Sequence, residues 1–181
     1  MATTKENKTV LCTGTYERAM DGKNRILLPK AVRKTIADGA TLFITPGMAE
    51  DCLEMHPVES LEPLVDKVSQ MNVRNKDRQS FLRLLFSRTE KCELDGQFRI
   101  RIPARLAATS LASSNTVIVG VGSYWEIWDP DKWQKYNEQH EVEFEAMAEI
   151  VLGAVDSAAV DSAAVESSAI DSAVVKAVKP R

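Results

Sequence analysis

Cysteine and histidine, the residues from which disulfide frameworks and many metal sites are built, are scarce in this sequence of 181 residues. There are three cysteines, an odd number without a C-x-x-C pair, and two histidines, His56 and His140, which lie far apart. These counts argue against a zinc site and against a disulfide framework. We therefore interpret Cys12, Cys52 and Cys92 as reduced, mostly buried thiols, and predict neither a metal nor a cofactor.

Long apolar runs and the usual signatures of enzymes are missing as well. No stretch of about 20 uninterrupted apolar residues exists, and the N-terminus has no apolar core of the length that a signal peptide needs. The sequence contains no G-x-S-x-G motif, no phosphate-binding loop and no cluster of metal ligands. The expectation is a cytoplasmic protein without a membrane partner, and not an enzyme.

The net charge of −3 conceals an uneven distribution of charged residues. Residues 1–37 hold 8 basic and 3 acidic groups, and residues 67–105 hold 10 and 4. Residues 138–181 hold 3 basic and 9 acidic groups. The average acidity argues against nucleic acid at first sight, but two basic regions of this kind are typical of surfaces that attract it.

Both basic regions contain a copy of an internal repeat. The segment DGKNRILLP at 21–29 returns as DGQFRIRIP at 95–103, an offset of 74 residues that leaves Asp, Gly, Arg, Ile and Pro unchanged. Each copy continues with a short helical stretch, an apolar strand, a glycine and a second strand, in the same order. Because a unit of about 45 residues buries too little surface to be stable alone, the two halves should share one core.

Hydrophobic periodicity places helices between and after the two copies. Residues 57–71 and 77–87 repeat apolar side chains at helical spacing and predict a helical hairpin. Asp129 followed by Pro130 predicts the start of a longer helix with one apolar stripe. From Ala154 the chain repeats with a period of five, which suits neither helix nor strand and predicts a disordered or weakly helical tail.

Two interpretations of the repeated loop stay open from the residues alone. In one, Arg25 and Arg99 contact nucleic acid, since arginine can pair bidentately with guanine or clamp phosphates. In the other, each arginine pairs with the aspartate four residues before it, Asp21 or Asp95, and braces the turn. The two interpretations are compatible, because an aspartate that pairs with the guanidinium also orients it toward a ligand. Three further basic residues near the loops are candidate DNA contacts: Lys23, Arg33 and Arg101.

The arrangement resembles the MraZ family, bacterial DNA-binding regulators with two SpoVT/AbrB-like modules in each chain. The matching stretches are GTYERAMDGKNRILLP, CLEMHPVESLEPL, DRQSFLRLLFSRTEKCELDGQFRIRIPARL and VIVGVGSYWEIWDPDKWQKY, which cover residues 14–136 in order. The resemblance implies an α+β fold, mainly β. That fold would be a tandem AbrB-like swapped-hairpin, double-psi-like barrel with short helices, an inter-repeat helical hairpin and a C-terminal helix.

The resemblance also implies a function. It implies a sequence-specific transcriptional regulator that binds double-stranded DNA at direct-repeat boxes upstream of the division and cell-wall gene cluster and of its own gene. Such a protein is expected to form ring-shaped homo-oligomers and to be associated with the nucleoid. Carried over by position, Arg25 and Arg99 are the motif arginines, and Asp21 and Asp95 are their partners. Two alternatives stay open, a ring-forming assembly protein and an AbrB-type regulator of other promoters.

These patterns divide the chain into six expected segments. They are a flexible N-terminus 1–12, a first SpoVT/AbrB-like repeat 13–59, a helical linker 60–88, a second repeat 89–132, a C-terminal helix 133–152 and a low-complexity tail 153–181. The apolar helical faces and the tryptophans Trp125, Trp128 and Trp133 exceed what two small modules are expected to bury. A closed homo-oligomer is therefore predicted, because heterologous contacts that close make rings.

Departures from the family pattern bear on the second loop. Asn24 and Phe98 stand where the family has a glycine before the motif arginine. Asn tolerates a left-handed backbone, whereas a bulky Phe would be strained there, so the second loop is expected to shift and Gly96 to take the turn. The position equivalent to Arg33 in the second copy is Ala107. These differences predict that the second loop contributes less to DNA binding than the first.

Overall fold

The computed structural model describes residues 11–36, 41–47, 51–71 and 74–153. Most of the predicted flexible N-terminus and the repetitive tail from residue 154 lie outside the described residues. The chain divides into two compact units, Met1–Gln134 and Lys135–Arg181. The first unit contains both copies of the repeated segment.

The first unit is an α+β structure made mainly of antiparallel strands. Its strands are β1 (Thr15–Ala19), β2 (Arg25–Leu27), β3 (Leu42–Pro46), β4 (Leu53–Pro57), β5 (Glu90–Cys92), β6 (Arg99–Arg101), β7 (Asn115–Gly120) and β8 (Trp125–Trp128). Its helices are α1 (Lys30–Lys34), α2 (Val58–Gln70), α3 (Asn75–Arg88) and α4 (Ala104–Ser110), followed by the start of α5 (Pro130–Glu141). Helices α2 and α3 are the predicted helical hairpin, with each end within two residues of its expected position.

The two repeats exchange their first strands. The large sheet has the order β1-β7-β8-β4-β3-β5, in which β1 of the first repeat pairs with β7 of the second, and β5 of the second pairs with β3 of the first. Its central pair, β4 with β8, also joins the repeats. Strands β2 and β6 form a separate two-stranded ribbon. The large sheet ends in two edge strands, β1 and β5, and is not closed.

One hydrophobic core serves both repeats, as predicted. Ile26 and Ile100, which occupy equivalent positions in the ribbon, are completely buried. So are Ile44 and Ile118, which occupy equivalent positions in the large sheet. All four belong to a single cluster. Because side chains alternate between the two faces of a strand, the inward-facing set of each strand joins this cluster while its neighbours face away.

Trp125 and Trp128 are buried within the single chain, so the expectation that they exceed what one chain can bury is wrong for these two tryptophans. Trp125 and Trp128 are each only 2% exposed. The indole N–H of Trp125 donates to Thr35 Oγ1 at 3.0 Å, which ties the second repeat to the end of α1. The ring of Trp128 packs 5.5 Å from that of Trp133.

The cysteines are reduced and buried, as predicted. Burial raises the pKa of the Cys92 thiol to about 11, and the nearby Glu90 carboxylate adds to this effect. Burial also raises the pKa of Cys12. Since the thiolate is the reactive form of cysteine, these side chains behave as small apolar residues of the core.

Helix α5 begins as predicted, but the long helix expected over 133–152 is wrong. The Asp129 carboxylate accepts the backbone N–H of Asp131 at 3.1 Å and so caps the start of α5. The helix ends at Glu141, and a turn separates it from a second helix at 144–153. In a continuous helix Glu141 and Glu145 would lie one turn apart, where like charges repel.

The second unit exposes apolar surface on its helix 144–153. The large apolar side chains exposed there are Phe144, Met147, Ile150, Val151 and Leu152. In the described part of the chain, no helix is both long enough and apolar enough to span a membrane.

Candidate nucleic-acid interface

The two copies of the repeated segment meet in the ribbon of β2 and β6. The residues that face each other across it are Arg25 and Arg101, Ile26 and Ile100, and Leu27 and Arg99. The isoleucines point into the core, so the alternate positions form the outward face of the ribbon. That face carries three arginines and Leu27, which is 48% exposed. Leu27 is absent from the predicted DNA contacts, although alternation along the strand requires it to face outward.

Asp21 organises the loop before β2. Its Oδ1 accepts the backbone N–H groups of Lys23 and Arg25, both at 2.9 Å. Its Oδ2 accepts the Nε–H of Arg25 at 2.8 Å and lies 2.7 Å from Nη2. Backbone hydrogen bonds from Asp21 to Arg25 and from Asn24 to Asp21, both 2.9 Å, close the turn. The carboxylate therefore holds the Nε edge of the guanidinium and leaves Nη1 and the second N–H of Nη2 for a ligand.

The loop before β6 repeats this geometry. Asp95 Oδ1 accepts the backbone N–H groups of Gln97 at 2.9 Å and of Arg99 at 3.0 Å. Asp95 Oδ2 accepts the Nε–H of Arg99 at 2.8 Å. The backbone bond from Asp95 to Arg99 is again 2.9 Å. The same scaffold thus presents both arginines, one at each end of the ribbon.

Phe98 adopts the left-handed backbone that was expected to exclude it. Its φ is 58°, against 56° at the equivalent Asn24. The expected shift of the second loop, with Gly96 taking the turn, is therefore wrong. The reason lies across the ribbon, where the Leu28 N–H donates to the Phe98 carbonyl at 3.1 Å and the Ile102 N–H to the Asn24 carbonyl at 2.8 Å. These bonds hold a conformation that costs about 1–3 kcal/mol.

Hydrogen bonds from the arginine four residues later lower the pKa of both loop carboxyl groups. For Asp21 the largest cause is the side-chain hydrogen bond from Arg25, followed by the Arg25 backbone N–H. For Asp95 the largest cause is the backbone N–H of Arg99. The contact with Asp21 also raises the pKa of the Arg25 guanidinium. Both loops therefore keep their opposite charges, and with them their geometry, throughout the neutral range.

The remaining predicted DNA contacts occupy different positions. Lys23 in the first loop and Arg101 on β6 are exposed. Arg33 on α1 lies against the second loop, with its guanidinium carbon 4.8 Å from the centroid of the Phe98 ring. Its Nε is buried and has no hydrogen-bond partner among the residues that the structure describes. The structure thus brings a cation of the first repeat to the loop of the second.

A second group of polar side chains lies where β4 meets α2. Glu54 Oε2 is 2.9 Å from His56 Nε2, and His56 Nδ1 is 3.1 Å from Ser60 Oγ. This order of groups also occurs in catalytic triads. Here the Ser60 hydroxyl donates to the Pro57 carbonyl at 3.0 Å, and the carboxylate and imidazole are about 5% exposed. The group is a satisfied buried network that joins the sheet to α2.

Replacing Asp21 by asparagine should destabilise the protein near neutral pH and much less in acid. The pKa of Asp21 is lower in the folded chain than its ordinary value of 3.8. The ionised carboxylate therefore adds stability above that value, and the contribution is lost as pH falls through the folded-state pKa. The melting temperature of Asp21→Asn should be lower than that of the wild-type protein at about pH 7. The difference between the two melting temperatures should shrink toward about pH 2.

The matched control for this measurement is Asp66→Asn, which changes an exposed aspartate on α2. Its melting temperature should equal that of the wild-type protein at every pH. A difference between Asp21→Asn and wild type that stays constant with pH would contradict a stabilising ion pair in the first loop.

Comparison with known proteins places both repeats in one family. Residues 11–84 and 85–153 each match the family model described as MraZ protein, antitoxin-like. A transcriptional regulator MraZ of Alkaliphilus oremlandii is 36% identical over 135 residues, which are 75% of this chain and 92% of that protein. The protein of that name in Clostridium beijerinckii is 38% identical over 136 residues, 75% and 93% of the two chains. The protein of the same name in Natranaerobius thermophilus is 31% identical over 139 residues, which are 77% of this chain and 95% of that protein.

Proposed function

Because the chain belongs to the MraZ family, we propose that it is a sequence-specific DNA-binding transcriptional regulator. The observation that carries the proposal is the outward face of the ribbon, on which two braced loops present Arg25 and Arg99 beside Arg101. A two-stranded ribbon fits the major groove of B-DNA, where arginine can pair with guanine. The name of the relatives, transcriptional regulator MraZ, supports the regulatory part.

The partner is double-stranded DNA, at direct-repeat boxes upstream of the division and cell-wall gene cluster and of the protein's own gene. The protein acts by binding alone, in the cytoplasm and on the nucleoid, without a cofactor. The exchange of first strands between the repeats supports an AbrB-like swapped-hairpin arrangement as the origin of the ribbon. The basic excess in residues 1–37 and 67–105, which include both loops, supplies attraction to phosphate.

We propose also that copies of the chain join in a ring-shaped homo-oligomer. Helix α3 exposes Phe81 at 39%, Leu84 at 55% and Phe86 at 44%. Two of these side chains line an apolar groove of about 230 Å³ against the end of β3. The second unit has an exposed apolar face of its own on helix 144–153. Two different faces on one chain are what a heterologous contact requires, and such contacts make rings when they close.

Footprinting on the DNA upstream of the protein's own gene tests the DNA-binding proposal. We expect protection of regularly spaced direct repeats, with a spacing set by neighbouring protomers. The affinity should fall with ionic strength by about 0.9 log units per log unit of salt for each phosphate neutralised. Absence of protection at any repeat, or an affinity that does not change with salt, would contradict the proposed mode of binding.

Gly22→Ala and Gly96→Ala should separate DNA binding from folding. A Cβ at either glycine would meet nothing within 4 Å, and neither glycine has a positive φ. The fold therefore does not require glycine there, whereas a closely approaching DNA backbone would. We expect melting temperatures equal to or above that of the wild-type protein, since Gly→Ala at a compatible position stabilises by about 0.4–1 kcal/mol. Affinity for the footprinted DNA should fall.

The informative comparison is with Gly122→Ala, because Gly122 has a φ of +75° and lies in the turn before β8. That variant should lose stability and keep DNA binding once folded. If Gly22→Ala and Gly96→Ala both bind the boxes as tightly as the wild-type protein, the loops do not approach DNA closely.

A further inference from the structure

The two ends of the ribbon share a backbone but differ in their side chains. At the second loop, Arg33 lies 4.8 Å above the ring of Phe98, which is 45% exposed. At the first loop the equivalent positions are Ala107 and Asn24. These two small residues border an open groove of about 400 Å³, which Ala104 also lines. One end of the ribbon is thus cationic and aromatic, and the other is an open groove lined by both polar and apolar side chains.

The backbone of the second loop does not require a phenylalanine. Asn24 takes the same left-handed conformation in the first loop, with the same hydrogen bonds around it. Asparagine tolerates this conformation far better than an aromatic residue does. The ring of Phe98 is also nearly half exposed, so its burial in the core does not repay the strain. Strain of this kind is concentrated at functional sites, where the side chain serves a contact outside the fold.

We propose that Phe98 reads the C5-methyl group of thymine, and that the unlike ends of the ribbon set the direction in which the protein lies on DNA. The inference rests on the proposed function. In the major groove the thymine methyl is recognised by apolar contact, and phenylalanine is one of the side chains that make it. Asn24 at the other end can pair bidentately with adenine.

The stacked Arg33 gives the second end a cation beside this apolar contact. Contact with the aromatic face orients the guanidinium toward the same stretch of DNA that the ring approaches. A chain with two identical ends would recognise a sequence with two-fold symmetry. Unlike ends recognise a sequence that has a direction, and boxes arranged as direct repeats have this property.

A thymine scan of the footprinted duplex tests the proposal. Each thymine is replaced in turn by deoxyuridine, which removes only the C5-methyl group, and affinity is measured by fluorescence anisotropy. The wild-type protein should lose about fourfold in affinity, the factor that follows from losing the burial of one methyl group. The loss should occur at a thymine on one side of each box, with no effect at thymines on the other side.

Two substitutions connect the sensitive thymine to Phe98. Phe98→Asn gives the second loop the residue that the first loop has at the equivalent position, Asn24. Its melting temperature should equal or exceed that of the wild-type protein. It should bind the thymine and deoxyuridine duplexes equally well. Asn24→Phe should make a second thymine sensitive, on the opposite side of the box. Asn24→Gly separates the loss of the asparagine from the gain of an aromatic ring. It keeps the loop backbone and should lose the affinity that pairing of Asn24 with adenine supplies, but it should make no second thymine sensitive.

The outcomes distinguish this inference from the function on which it rests. If the wild-type protein protects the boxes but binds every deoxyuridine duplex as tightly as the thymine duplex, Phe98 does not read a methyl group. The same conclusion follows if folded Phe98→Asn keeps the sensitive thymine. If the wild-type protein protects no box at all, the proposed function fails, and with it the inference.

Discussion

Arg25→Ala is expected to lose specific DNA binding while keeping its fold. Removal of one bidentate arginine–base contact lowers affinity roughly 5- to 150-fold, and the loss is multiplied over the protomers that contact DNA together. The loop should survive the substitution, because Asp21 still accepts the backbone N–H groups of Lys23 and residue 25. Footprinting and melting temperature, measured on the same preparation, separate the two effects.

Arg99→Ala should lower affinity by a similar factor. The family pattern predicts a weaker second loop, because a shift is expected at Phe98 and Ala107 stands at the position equivalent to Arg33. The structure shows no shift, and it places Arg33 itself against Phe98. Asp95 holds Arg99 with the same hydrogen bonds that Asp21 makes to Arg25. The two arginines also occupy opposite ends of one ribbon. Equal scaffolds should give equal contributions, unless the bases opposite the two loops differ in how they accept arginine.

Two further variants make the arginine experiment specific. Lys135→Ala removes a positive charge from an exposed position on α5, outside the two basic regions, and should leave binding unchanged. Arg25→Lys keeps the charge but cannot pair bidentately, so it should retain salt-dependent binding and lose sequence preference. If Arg25→Ala is stable, keeps its oligomeric state and protects the boxes at wild-type concentration, the motif is structural. A ring-forming assembly protein would then be the better interpretation.

Leu84→Glu is expected to break the homo-oligomer into smaller species. Leu84 lies in the apolar groove of α3 and is 55% exposed, so a glutamate there is tolerated in one chain. In a contact between copies, the same carboxylate would be buried without a partner, which is strongly unfavourable. In sedimentation velocity at micromolar concentration, the wild-type protein should sediment as a large assembly and the Leu84→Glu protein as a smaller species. Affinity for several boxes in tandem should fall about 10²- to 10⁴-fold, because avidity is lost.

The matched control is Val121→Glu, which adds the same charge at another exposed apolar residue. It should leave the assembly intact. Deletion of residues 154–181 should also leave it intact, since the period of five in that segment gives no continuous packing face. A wild-type protein that sediments as a monomer would contradict the ring. A Leu84→Glu protein that sediments like the wild type would show that α3 is not the contact surface.

Several features of this molecule follow from short-range patterns, and these were predicted correctly. Helical spacing of apolar residues placed α2 and α3, and the Asp129-Pro130 pair placed the start of α5. The three scattered cysteines were expected to be reduced and buried, and they are. Such features depend on residues a few positions apart, whose interactions are the same in any fold that contains them.

Errors arose where a local preference competed with a distant contact. Phe98 is a poor choice for a left-handed backbone, yet its carbonyl accepts the N–H of Leu28 from the other repeat, and this bond is formed only in the assembled ribbon. Trp125 and Trp128 were expected to need a partner chain. Trp125 lies against Tyr16 of β1 and donates to Thr35, both in the first repeat, and Trp128 packs against Trp133.

The residues alone show that there are two equivalent halves, where their turns lie, and which aspartate and arginine stand four residues apart in each. How the halves pair with each other becomes visible only in the folded chain. Because the two copies are nearly alike, each strand could in principle pair within its own repeat or with the other, and the local sequence is the same in both cases. Pairing between repeats places Arg101 opposite Arg25 and Arg33 on Phe98. Those contacts join residues 65 to 76 positions apart, and they form because burying one shared core is more favourable than burying two small ones.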